Sequence, residues 1–176
     1  MSPADLATRA RAIRLILLDV DGVLTDGSIT YTAAGVEGKS FHVRDGQRIK
    51  LAGRHGLRFG IITGRSSPIV DLRAAELDIA MVRQGAKEKL PVLEALLAAE
   101  GLDPAAVAYM GDDIVDLGVM GRVGLAATVA DGHPVVRDRA HFIATLPGGR
   151  GAVAELVELI LAAQGKWEKI LGSYLA

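Results

Sequence analysis

The chain has 176 residues, 50% of them hydrophobic but only 4% aromatic, and it contains no cysteine. That length suits one domain with an aliphatic core, and the missing cysteines exclude disulfides, thiolate metal sites and a cysteine nucleophile. With 20 basic against 21 acidic residues the net charge is −1, so no basic stripe recommends nucleic acid as a partner.

The N-terminus carries Arg9, Arg11 and Arg14 with no apolar stretch ahead of Leu15, which does not read as a secretory signal. The apolar run Leu15–Val20 is far too short to span a bilayer and ends in acids. The expectation is a cytoplasmic protein with no membrane partner, in agreement with a reducing compartment.

In chain order, Ala4–Arg11 suits a short leading helix. Leu15–Val20 is continuous in apolar residues and reads as a buried parallel strand. Ser28–Tyr31 and Lys39–Val43 alternate around Ala33-Ala34-Gly35, which predicts a β-hairpin. Arg44-Asp45-Gly46 opens a helix to about Arg54, and Gly56 ends it. Leu57–Thr63 is a second buried strand; Ser67-Pro68 supplies a cap and an N1 proline for a helix over Ile69–Glu76.

Ile79–Val82 reads as a third strand, Ala86–Glu100 as a helix stopped by Gly101, and Val107–Met110 as a fourth strand. A short helix over Asp113–Met120, a strand over Gly124–Val129 and a short strand at His141–Ile143 follow. Gly148–Gly151 punctuates before a last helix over Ala152–Gln164, and the tail from Gly165 lacks a clear period. Strands alternating with helices predict an α/β, doubly wound, Rossmann-like parallel sheet. It is expected as one unit over 1–176, with the hairpin at about 27–43 as its sole insertion, a tail at about 165–176 and no separate cap domain.

Four polar clusters each follow a predicted strand or strand-like turn: Asp19/Asp21, Thr63-Gly64-Arg65, Gln84-Gly85 leading to Lys89, and Gly111-Asp112-Asp113 with Asp116. Parallel strands of one polarity aim their carboxyl ends at the same crevice, so these clusters should converge. Converged, they suit phosphoryl transfer. Asp19 would attack phosphorus, and Asp21 would protonate the leaving alkoxide and later deprotonate water. Asp19 and Asp112 would hold Mg²⁺, a hard cation content with a few carboxylates plus water and phosphate oxygens. Thr63 and Lys89 would serve the equatorial oxygens.

The stretches Asp-Val-Asp-Gly-Val-Leu-Thr-Asp-Gly (19–27), Ile-Ile-Thr-Gly-Arg (61–65), Gln-Gly-x-x-x-Lys (84–89) and Gly-Asp-Asp-x-x-Asp (111–116) resemble the four motifs of the haloacid dehalogenase superfamily of phosphatases. Phe41–Gly46, Val129–Pro134 and Gly148–Val153 narrow the resemblance to the 3-deoxy-D-manno-octulosonate 8-phosphate (KDO 8-phosphate) phosphatase family, over about Arg14 to Lys166.

The resemblance implies an Asp19 nucleophile, an acid/base at Asp21 that also binds Mg²⁺ through its backbone carbonyl, metal ligation by Asp112, and Asp116 in support. It implies substrate contacts at Asp21, His42, Val43, Arg44, Asp45, Gly46, Lys50, Arg65, Arg73 and Lys89. It further implies a phosphorylated sugar acid as substrate, a product feeding the outer-membrane lipopolysaccharide pathway, and homotetramers whose subunits complete each other's sites. His42 stands where this family often has Asn, and Lys50 where it often has Arg; a lysine keeps the charge but loses the bidentate fork.

One part of this has a separate physical argument. A phosphoaspartate must be shielded from bulk water, and the Gly27–Val43 insertion is too short to be a lid domain. Oligomerisation would close the site, with the hairpin and the tail bearing Trp167 and Tyr174 as candidates to reach across.

Other readings stay open at this level. A calcium loop starting at Asp19 would need glycine and glutamate where Leu24 and Thr30 stand. Asp113 and Asp116 could simply favour a helix N-terminus. Arg65 and Arg73, eight positions apart, could share a helix face and either pair with Asp71 or Glu76 or recognise a carboxylate. His55, His133 and His141 lack ligand spacing, and Gly148–Gly151 lacks the ending of a Walker loop, leaving a flexible turn that delivers Arg150. A nine-carbon sialic-type sugar phosphate would offer the same handles as the eight-carbon one. A receiver-like phosphoacceptor domain or a catalytically silent assembly domain are the non-enzymatic alternatives.

Overall fold

The computed structural model describes residues 2–175. Its centre is strand β1 (Leu15–Leu18), every residue of which is fully buried. Around it lie β4 (Arg58–Ile62), β5 (Met81–Arg83), β6 (Val107–Met110), β7 (Leu125–Thr128) and β8 (Phe142–Ile143) in one sheet of order β5-β4-β1-β6-β7-β8. Every pairing in that sheet is parallel; Leu18, for instance, lies between Ile61 and Met110. Strand order reverses at β1, so the crevice at its carboxyl end is the topological switch point where open α/β sheets take ligands.

Strand alternation divides the core into two layers. Ile16 and Leu18 face helices α2 (Val43–Arg54), α3 (Pro68–Glu76) and α7 (Ala152–Ala163), meeting Ile49, Val70, Leu156 and Ile160. Leu15 and Leu17 face α4 (Lys89–Glu100) and α5 (Leu117–Met120), meeting Leu93, Leu97 and Val119. Helix α1 (Pro3–Ala12) joins the first layer through Ala10, and the short α6 (Pro134–Arg137), absent from the sequence reading, joins the second through Val136. No helix among the described residues is long and apolar enough to cross a membrane.

Five local expectations need correcting. The hairpin is β2 (Thr30–Tyr31) against β3 (Glu37–Gly38), so its second leg ends before the expected Lys39–Val43. Thr32 and Val36 close the turn by backbone and side-chain hydrogen bonds of 2.9 and 3.1 Å, which sets Tyr31 opposite Glu37. Ile79 does not open β5, because its N–H closes α3 on Ala74 at 2.9 Å. The Ser67 side chain does not cap α3; Gln84 accepts the Ser67 N–H instead, at 2.7 Å.

Helix α4 begins at Lys89 rather than Ala86, since the Ala86 N–H is bound to the Thr63 carbonyl at 3.0 Å. The tail forms α8 (Trp167–Leu175), whose apolar residues Trp167, Ile170, Leu171 and Tyr174 recur at helical spacing. Trp167 packs on this chain's own core under Arg48, with ring and guanidinium 5.2 Å apart, while Leu171, Tyr174 and Leu175 are exposed.

Candidate active site

The site is built at the end of β1. Asp19 continues the ladder by one residue, its N–H donating to Met110 O at 3.0 Å, so its side chain is held as rigidly as the strand. The chain then turns back, with Thr25 N–H on Val20 O at 3.0 Å. Gly22 occupies φ +88°, and a Cβ there would lie 2.1 Å from Asp112 Oδ2. The Asp19/Asp21 loop and the Asp112 loop are therefore in contact only because residue 22 has no side chain.

Gly148 and Gly149 lie against this turn: the Gly149 N–H donates to Val23 O at 2.9 Å, and a Cβ on Gly148 would strike Gly22 O. That segment is a packed buttress rather than a flexible arm; Arg150 points outward, 3.5 Å from Asp26.

Asp19, Asp21, Thr63, Gly64, Arg65, Ala86, Lys87, Lys89 and Val115 line one cleft of about 180 Å³. Lys89 opens α4 at its wall, and its ammonium is bound three ways: to Asp19 Oδ2 at 2.6 Å, Asp116 Oδ1 at 2.7 Å and the Tyr109 hydroxyl at 3.3 Å. Burial would push the Lys89 pKa down, but the charges of Asp19 and Asp116 outweigh it and raise the pKa, so the ammonium persists.

Asp116 organises this cluster. Its Oδ1 accepts from Lys89 and from the Tyr109 hydroxyl (2.6 Å), and its Oδ2 accepts from the N–H groups of Asp112 (3.0 Å) and Asp113 (3.2 Å). Asp113 caps the following 3-10 turn through the Ile114 N–H at 2.7 Å.

One carboxylate oxygen each from Asp19, Asp112 and Asp116 lies within 4.8 Å of the others. Both Asp116 oxygens already accept two hydrogen bonds, so Asp19 and Asp112 are the acids with lone pairs to spare. Burial, then the charges of Asp19, Asp116 and Asp113, push the Asp112 pKa up to about 7. A donor set of two hard oxygen ligands in excess negative charge fits Mg²⁺.

Asp21 faces the hairpin. Its Oδ1 is paired with Lys39, and its Oδ2 lies 3.6 Å from Arg65. Lys39 was not among the sequence-derived candidates, because a lone lysine after a hairpin strand carries no pattern; nor was Tyr109, hidden as an ordinary core residue of β6.

The remaining expected substrate residues do not join this cleft. Val43, Gly46, Lys50 and Arg73 line a separate depression of about 330 Å³ between α2 and α3, and the two share no lining residue. Arg73 lies 5.4 Å over the Phe41 ring and pairs with Glu76 at 2.7 Å, while Lys50 binds Glu76 O at 2.9 Å and lies 3.2 Å from Asp78. Arg65 precedes α3, so it does not share a helix face with Arg73.

Asp45 is only 1% exposed and accepts the Ala154 and Gly151 N–H groups at 2.8 and 3.2 Å, capping α7 instead of facing a ligand. His42 Nδ1 lies 4.0 Å from Asp45 and is buried without a hydrogen-bond partner among the described residues; Arg44 packs near Gly151.

No family model matches the chain. It is 45% identical over 169 residues to the 3-deoxy-D-manno-octulosonate 8-phosphate phosphatase KdsC of Escherichia coli K12, covering 96% of this chain and 90% of that one. It is 46% identical over 165 residues to the Salmonella typhimurium protein of the same description, covering 94% and 88%. Among solved structures, the 3-deoxy-D-manno-octulosonate 8-phosphate phosphatase of Moraxella catarrhalis, in complex with magnesium ion, phosphate ion and KDO, aligns with a TM-score of 0.96 at 38% identity, over 98% of this chain and 99% of that one. The cobalt-bound enzyme of Haemophilus influenzae aligns with a TM-score of 0.87 at 38% identity, over 90% and 93%. Identity at this level along nearly the whole chain, on the same fold, means that the chain belongs to the 3-deoxy-D-manno-octulosonate 8-phosphate phosphatase family of the haloacid dehalogenase superfamily.

Proposed function

We propose that this chain hydrolyses 3-deoxy-D-manno-octulosonate 8-phosphate to KDO and inorganic phosphate through a phosphorylated Asp19. The observation that carries the reading is the buried Lys89 bound to both Asp19 and Asp116 at the end of β1, with Asp21 and Thr63 lining the same cleft. The family's magnesium-, phosphate- and KDO-bound member supports the choice of ester and metal.

An Asp19 oxygen attacks phosphorus, the phosphorus–oxygen ester bond breaks, and Asp21 delivers a proton to the departing alkoxide. Asp21 then takes a proton from water, the water oxygen attacks phosphorus, and the Asp19–phosphorus bond breaks to free phosphate. Such a placed acid/base contributes roughly 10²–10⁴-fold. Lys89 and the Thr63 hydroxyl hold the equatorial oxygens, where charge stabilisation does most of the work. Asp19 and Asp112, with the Asp21 carbonyl, would hold Mg²⁺, which supplies positive charge to the phosphoryl oxygens.

The cleft of about 180 Å³ takes a phosphoryl group but falls below the roughly 300–1,000 Å³ of a small-molecule site. We therefore read one chain as one catalytic unit with an incomplete sugar site beside Arg65, completed in a homotetramer by the second depression and the projecting hairpin and tail. The compartment we propose is the cytoplasm, and the role is lipopolysaccharide precursor synthesis.

Phosphate release measured over sugar-acid phosphates, with Mg²⁺ and with EDTA, tests the reading. Preference for the eight-carbon 8-phosphate, metal dependence and loss of activity in Asp19→Asn are expected. Preference for a nine-carbon 9-phosphate would overturn the substrate, and an active Asp19→Asn would overturn the nucleophile. Light scattering on the eluting protein tests the assembly: a monomer that is fully active overturns it.

A further inference from the structure

A closed ring of four alternating charges joins the hairpin to the two catalytic loops. Lys39, the residue after β3, places its ammonium on Asp21 Oδ1 and lies 3.5 Å from Glu37. Glu37 accepts from Arg65 at 2.9 Å, and Arg65 Nε returns to Asp21 Oδ2 at 3.6 Å. Each oxygen of the proton-carrying carboxylate thus faces a different cation.

The two cations are not equivalent. The Arg65 side chain is 44% exposed, and an exposed ion pair fixes geometry weakly. The Lys39 side chain is 1% exposed, and an ammonium so removed from water must keep its carboxylate partners. Asp21 needs such a tether. It sits on a glycine-flanked turn, whereas Asp19 is already held by the Val20 N–H at 2.7 Å and by Lys89.

We propose that Lys39 is a positioning residue for proton transfer: it fixes the Asp21 carboxylate on the leaving-oxygen side of the cleft, which makes the hairpin part of the catalytic apparatus. The inference rests on Asp21 being the proton carrier.

Proton delivery matters for a poor leaving group such as a sugar alkoxide and little for p-nitrophenolate, which departs unaided. The test compares kcat/KM, which reads steps only up to departure of the first product, for a primary alkyl phosphate and for p-nitrophenyl phosphate. Lys39→Met should lower it about 10–100-fold on the alkyl ester, the cost of a misplaced catalytic group, and less than about threefold on the aryl ester. Lys39→Gln, which keeps a donor to Asp21 and a polar head, should fall between wild type and Met on the alkyl ester and serves alone if the Met variant does not fold. Equal losses on the two esters, or no loss on either, would overturn the proposal. Any primary alkyl phosphate that the wild type turns over can be the first arm, so a wrong sugar assignment changes the substrate used and not the comparison.

Discussion

Asp116→Asn asks whether one buried carboxylate holds the site together. All four groups that reach Asp116 are donors: Lys89 and the Tyr109 hydroxyl on one oxygen, and the Asp112 and Asp113 N–H groups on the other. Asparagine offers one accepting oxygen and one donating NH₂. The ammonium decides its orientation, since an NH₂ against Lys89 is the worse clash. The oxygen therefore stays on Lys89 and Tyr109, and the NH₂ is driven at two backbone N–H groups. Each buried donor left unsatisfied costs about 1–3 kcal/mol. With the weakened Lys89 pair added, the expected destabilisation is about 3–5 kcal/mol, the range for breaking a buried ion pair.

The clash falls on the backbone of Asp112 itself, so the Mg²⁺ concentration for half-maximal activity should rise by about 10-fold or more. Urea unfolding without metal and an Mg²⁺ titration of phosphate release measure the two effects. Tyr109→Phe is the control: it removes one donor of four, should cost about 1 kcal/mol, and should leave the metal requirement alone. A loss below about 1 kcal/mol in Asp116→Asn with an unchanged Mg²⁺ requirement would refute the reasoning.

Gly22→Ala combines a φ of +88° with a Cβ placed 2.1 Å from Asp112 Oδ2; about 1–2 kcal/mol of backbone strain and a raised Mg²⁺ concentration for half-maximal activity should follow, read by the same two assays. Asp45→Ala removes the acceptor at the α7 N-terminus and should cost about 0.5–2 kcal/mol in urea with KM unchanged; a raised KM at full stability would favour a substrate contact. His141 accepts the Ala126 N–H at 3.0 Å, and burial, then the Arg9 charge, lower its pKa. The unfolded state then binds more protons, so its contribution is complete above pH 6.5 and fades as pH falls through the folded value. His141→Asn, which keeps an acceptor, should flatten the urea midpoint between about pH 7.5 and 5, and an unchanged slope would reject the assignment.

The parallel sheet was legible because apolar runs ending in acids or glycine mark buried strands, and Leu15–Leu18 is buried as such a run requires. The convergence of Asp19, Asp21, Thr63, Lys89, Asp112 and Asp116 followed from polarity alone: parallel strands deliver their ends to one crevice. What depended on side-chain reach was not legible. Lys39 comes from a hairpin whose register is set by the Thr32–Val36 turn, and Asp45 was claimed by the N-terminus of a helix more than a hundred residues away in sequence. The tail helix did carry a signal, since Trp167, Ile170, Leu171 and Tyr174 share a face, but the run is short and lacks a stop.

The charge balance of the site explains why so many of its residues are support. Asp19, Asp112 and Asp116 face one ammonium, leaving two negative charges in excess where a phosphate ester must enter. Before an ester enters, Lys89 is shared by Asp19, Asp116 and Tyr109, and its single positive charge offsets only one of the three carboxylates. The Asp116 carboxylate is solvated in place by four donors, the Lys89 ammonium, the Tyr109 hydroxyl and two backbone N–H groups. The surplus therefore settles on Asp112, the acid that accepts no hydrogen bond among the described residues and whose pKa is pushed up to about 7. Near neutral pH a cation beside that carboxylate displaces its proton and offsets the surplus, and the carboxylate's contact with the Gly22 turn keeps it aimed at Asp19. The demand for a hard divalent cation is thus written into residues that do not themselves bind it: Tyr109 and Asp116, which fix the Lys89 ammonium, and Gly22, which lets the two acidic loops meet.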